Sequence, residues 1–67
     1  MDEIDIWRTA TTLIKAHGFT GAAFAASHQS KDMRKKGDAE GVSVWKRIEC
    51  AIAELERTGY KPGETRQ

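Results

Sequence analysis

The chain lacks most of what usually fastens a protein this small. Its 67 residues include one cysteine, Cys50, so no internal disulfide can form. Its one proline, Pro62, stands close to the C-terminus, which leaves the rest free to form helix. No apolar run approaches the ~20 residues of a membrane span. No window alternates apolar and polar residues as a half-buried strand does. Neither sign of charge dominates: 11 basic and 10 acidic residues give a net charge of +1, and a dedicated nucleic-acid binder is usually more basic. The start, Met1-Asp2-Glu3-Ile4-Asp5, is acidic and has no apolar core of a signal peptide. A single unpaired cysteine fits a reducing compartment. These absences predict a soluble cytoplasmic protein with no membrane partner.

The length admits one domain. A domain of this size buries only roughly 60% of the surface its unfolded chain exposes, and its core rarely supplies more than about 3–5 kcal/mol. Without a disulfide, a second chain is the natural source of further stability. Self-association is therefore expected before any motif is considered.

What the chain does contain is helical periodicity with punctuation. In the first segment Ile6, Trp7, Ala10, Leu13, Ile14 and His17 share one face, and Asp2, Glu3 and Asp5 crowd the N-terminal end where the helix dipole favours them. Gly18 reads as the terminating glycine. A second helix is expected after Thr20, with Ala22, Ala23, Ala26, Ser30 and Met33 inward, and with Arg34-Lys35-Lys36 in the last turn. The third is the most fully written. Asp38 stands at the N-cap, Val44, Trp45, Ile48, Ala51, Ile52 and Leu55 form one face, and Gly59 follows the end. Tyr60 is placed to fold back on Leu55. The boundaries predict a three-helix bundle, with helices at about 3–17, 21–36 and 39–58, short antiparallel connections, and Trp7 and Trp45 as the largest core contributors. Residues 1–59 form the domain and 60–67 a flexible tail.

Few residues suggest chemistry. His17 and His28 belong to no catalytic motif. His17 reads as a core-edge histidine at a helix C-terminus, and His28 as a solvated side chain. Zinc needs about four ligands at short spacings, and His17, His28 and Cys50 lie far apart in the sequence. Cys50 falls on the outward face of the third helix with Lys46, Arg47, Ala53, Glu54 and Arg57. Gly37-Asp38-Ala39-Glu40-Gly41 carries two acidic residues that would repel a phosphate. So small a domain also leaves little room for a ligand pocket of ~300 Å³ or more. The expectation is a non-enzymatic protein without catalytic residues, cofactor or metal.

Two surface features compete for a binding role. On the second helix Phe24 falls nearly opposite Met33, beside His28, Lys31 and Lys35. Energetics favour burying a Phe in the monomer, by roughly 1.5–3 kcal/mol. The other reading makes Phe24, His28, Lys31 and Lys35 a contact face for another protein or for a second copy in a homodimer. The rival is nucleic-acid binding by Lys31, Arg34, Lys35, Lys36, Lys46 and Arg47. Gly41-Val42-Ser43 resembles the turn before a recognition helix, but Asp32, Asp38 and Glu40 interrupt the positive field, and the simpler reading of the cations is a solvated helix end.

The order Ile6-Trp7, Ala10, Ile14, His17-Gly18, Phe24, then Gly37-Asp38-x-x-Gly41-x-x-x-Trp45-x-x-Ile48, Ala51-Ile52 and Leu55 is similar to a family of small bacterial helical proteins with no assigned activity. The resemblance spans about residues 6–57 and rests on two chain breaks and two tryptophans. It implies a free-standing bacterial domain and supplies no catalytic residues. The leading expectation is a protein–protein interaction or accessory module.

Overall fold

The computed structural model of the chain describes residues 2–60. They form two helices, α1 (Glu3–Lys35) and α2 (Ala39–Arg57), and no strand is present among the described residues. The all-α class agrees with the sequence; the expected three-helix bundle does not. Helices expected at 3–17 and 21–36 belong to one element, because the chain needs no loop at Gly18. That residue alone leaves helical geometry, with φ 76 and ψ 175, and α1 resumes at Phe19. Thr20, expected as an N-cap, is an exposed residue inside α1. Phe19, left in the connection between the expected helices, is half-buried and packs against the core.

A straight helix of 33 residues would be about 50 Å long. The longest dimension of the molecule is 38 Å, so α1 bends. The bend also turns the helix about its axis. Residues 3–17 bury Ile6, Ala10 and Ile14, and residues 19–35 bury Ala22, Ala26 and Ser30. On an uninterrupted wheel of 100° per residue those two stripes would lie about 160° apart. The break at Gly18 brings both onto one core with α2.

Gly18 has backbone angles that are close to exclusive to glycine. Gly21 is needed for a different reason. A Cβ there would lie 2.7 Å from the Cβ of His17, far inside contact distance, because the break folds those two positions together.

The corner between α1 and α2 follows from three residues. Gly37 takes φ 76, its N–H donates to Arg34 C=O at 3.1 Å, and the Asp38 N–H donates to Met33 C=O at 2.9 Å. This is the paired C-terminal closure that a left-handed glycine permits. Asp38 then starts the next helix: its carboxylate accepts from the Gly41 N–H at 2.9 Å, satisfying one of the orphan donors of α2. The same closure ends α2, where Tyr60 N–H donates to Leu55 C=O at 3.0 Å and Gly59 N–H to Glu56 C=O at 3.2 Å.

α2 contributes Ile48, Ala51, Ile52 and Leu55 to the core. The largest fully enclosed side chains are Ile14, Ile48 and Ile52. The tryptophans are not the centre expected of them: Trp7 and Trp45 are half-buried and flank the core, as do Val44, Leu13 and Tyr60. Tyr60 thus belongs with the packed structure and not with the tail, as its expected contact toward Leu55 implies. The rest of the expected tail, 61–67, lies outside the described residues.

Replacing Gly18 by alanine forces a side chain into a glycine-only region and is expected to cost about 3 kcal/mol. Gly37→Ala, at an ordinary left-handed position, is expected to cost about 1 kcal/mol. Urea unfolding of both variants checks the order; equal costs would mean that Gly18 is not held in its extended left-sided geometry.

Candidate functional site

The residues of the second arm of α1 recur at spacings of 4, 3 and 4 along Phe24, His28, Lys31 and Lys35. At 100° per residue these fall within an arc of about 60°, so they form a straight stripe. All four are exposed. Phe24 is 76% exposed, which overturns the expectation, drawn from the energetics of burial, that it belongs to the core. The reason is again Gly18. Phe24 lies at the angular position of Ile6 on an unbroken wheel, and the break carries that face away from α2. The core instead takes Ala22 and Ala26, both 0% exposed, and these small residues let α1 approach α2 closely. Ala23, expected inward with them, is exposed. His17, expected at the core edge, is also exposed.

The basic residues considered for nucleic acid, Lys31, Arg34, Lys35, Lys36, Lys46 and Arg47, are all exposed, yet they are divided. Lys36 forms an i,i+4 ion pair with Asp32 at 3.3 Å. Lys46 and Arg47 line a groove between the start of α1 and α2, a groove to which none of Lys31, Arg34, Lys35 and Lys36 contributes. Asp38 stands between the two groups as the cap of α2. Gly41, whose sequence context resembles a recognition-helix turn, has a packing role: a Cβ there would meet the Met33 Sδ at 2.7 Å and the Asp38 carboxylate at 2.8 Å.

The groove itself went unforeseen. It is an open surface groove of about 750 Å³, not an enclosed ligand pocket. Ile6, Trp7, Val42 and Ala51 supply its apolar lining, and Glu3, Glu54, Lys46 and Arg47 its charges. The α2 residues that line it follow helical spacing, but their mix of apolar, small and charged types hides the face from a pattern search. Cys50 lies in this groove and is exposed, as its place on α2 predicts. Neither histidine reaches it. The arrangement offers apolar contact with charge of both signs at the margin, suited to holding another surface.

No group of three or more His, Cys, Asp or Glu side chains among the described residues is placed to hold a metal ion. No helix among them is long and apolar enough to cross a membrane. Comparison with protein families, with characterised proteins and with solved structures finds no match for the chain.

The placement of Phe24 has a measurable consequence. Phe24→Ser is expected to change the unfolding free energy of the monomer by no more than about 0.5 kcal/mol, as at other exposed positions. Ile48→Ala, in the enclosed core, is expected to lose about 2–5 kcal/mol. Chemical denaturation at low protein concentration compares the two, and a large loss for Phe24→Ser would place its ring in the core.

Proposed function

We propose that the chain is a protein–protein interaction module that works through the outer face of the second arm of α1, with Phe24 as its apolar anchor and His28, Lys31 and Lys35 as its polar contacts. The observation that carries this reading is the 76% exposure of Phe24. Burying a Phe side chain is worth roughly 1.5–3 kcal/mol, a large fraction of the about 3–5 kcal/mol that a core of this size supplies. That stabilisation, unrealised within the fold, is available against a partner. Aromatic residues set among polar ones are also the usual anchors of interfaces. The stripe lies on a rigid helix, which reduces the ordering cost of binding.

The reading is of an accessory or adaptor protein and not a catalyst. Nucleic-acid binding is less well supported, because its cations are interrupted by acidic residues, with Asp32 paired to Lys36 and Asp38 capping α2. Placing a photo-reactive benzophenone side chain at position 24 and irradiating the cells that make the protein tests the proposal. Cross-linked adducts are expected from position 24 and not from position 53, where Ala53 is exposed on α2. Equal labelling from both positions, or none from position 24, would overturn the assignment of this face.

A further inference from the structure

Among the described residues two large hydrophobics are exposed, Phe24 at 76% and Ile4 at 66%, and their surroundings carry opposite charge. Phe24 is followed along its stripe by His28, Lys31 and Lys35. Ile4 lies in the first turn of α1 among Asp2, Glu3 and Asp5, with Arg8 one turn further on as the only base beside it on that helix. Neither set of charges is committed. The ion pairs among the described residues are Lys36–Asp32 and Arg57–Glu54, and they use none of Asp2, Glu3, Asp5, Lys31 or Lys35. Each patch is thus an apolar residue with a majority of charges of one sign, basic around Phe24 and acidic around Ile4, where Arg8 and, across the groove from Glu3, Lys46 and Arg47 offset part of the acidic charge. Across a sequence with a net charge of only +1, this segregation leaves two copies without long-range repulsion.

We propose that the partner of the Phe24 face is the Ile4 turn of a second copy of this chain, each copy giving Phe24 to the other's Ile4 and meeting its carboxylates with Lys31 and Lys35. The inference rests on the reading of the Phe24 face as an interaction surface. A pair related by a twofold axis uses both contacts twice and leaves no free anchor, so assembly closes at two copies. The contact is small. Even a patch of about 600 Å² on each partner, the low end for specific interfaces, is roughly an eighth of the 4828 Å² that the chain exposes. Association is therefore weak and sensitive to ionic strength, since about 1 M salt shortens the screening length from about 10 Å to 3 Å.

Sedimentation equilibrium of the full chain and of three variants tests this. The chain itself is expected to reach a dimer and no larger species, with weaker association in 1 M sodium chloride. Phe24→Ser is expected to weaken the dimer about a thousandfold, roughly thirtyfold for each of the two anchoring aromatics that the pair loses. Lys31→Glu with Lys35→Glu makes both patches acidic, and Glu3→Lys with Asp5→Lys makes both basic. Each double variant alone is expected to be a monomer, and an equimolar mixture of the two is expected to dimerise again. Circular dichroism checks that each is folded, and the Phe24→Ser comparison stands independently of the charge variants. A wild-type chain that stays monomeric at millimolar concentration would overturn the proposal, as would a dimer that the mixture fails to restore. Either result leaves the Phe24 face open to a different protein. By contrast, position-24 cross-linking no stronger than the control would remove the interaction face altogether.

Discussion

One backbone position governs this structure. At Gly18 the chain takes φ 76 and ψ 175, a geometry that any side chain would strain. Helix on either side is ordinary, but the residue between resets both direction and rotational phase. Without it, the stripe Ile6, Ala10, Ile14 and the stripe Ala22, Ala26, Ser30 would point to different sides of a helix about 50 Å long. With it, both contact the same core, and α2 covers it with Ile48, Ala51, Ile52 and Leu55. A chain with no disulfide available and five aromatic residues thereby gains a core built mainly of isoleucine and alanine.

The same reset determines what remains outside. On an unbroken helix Phe24, His28, Lys31 and Lys35 would continue the line of Ile6. Past the break that line faces solvent, and its aromatic member loses its burial. Fold and candidate site are therefore two consequences of one constraint. The break hides the alanines that fit closely against α2 and exposes the phenylalanine that does not. Gly21 belongs to the same device, since it is the residue against which His17 comes to rest. The corner at Gly37 and Asp38 does analogous work at the other end of α1, where Asp38 closes one helix through its N–H and opens the next through its carboxylate.

Much of this was legible in the residues because local chemistry dictates it. Asp38 as a cap, Gly59 as a left-handed closure, and the apolar face of α2 all depend on neighbours a few positions away. So does the exposure of Cys50, which follows from helical phase alone. What was not legible depends on the relative rotation of the arms of α1. Gly18 followed by Gly21 reads as two ends of a loop, because nothing local says that one glycine suffices. Phe19 then looks like linker and packs half-buried against the core. Phe24 looks too valuable to expose, because burial energy is a property of the residue while its exposure is a property of the bend. The groove along α2 was hidden for a related reason: a face lined with Ala39, Ser43, Lys46 and Glu54 has no compositional signature, and it becomes concave only once the start of α1 lies beside it.

The most direct measurement is the proton–proton contact between the Hα of Gly21 and the Hβ of His17 by nuclear Overhauser spectroscopy. The break places the position of a Gly21 Cβ within 2.7 Å of the His17 Cβ, so a strong cross-peak is predicted. In a continuous helix positions four residues apart are separated by a rise of about 6 Å. Absence of the cross-peak, with regular helical contacts running through Gly18, would contradict the account of the core and of the exposed stripe together.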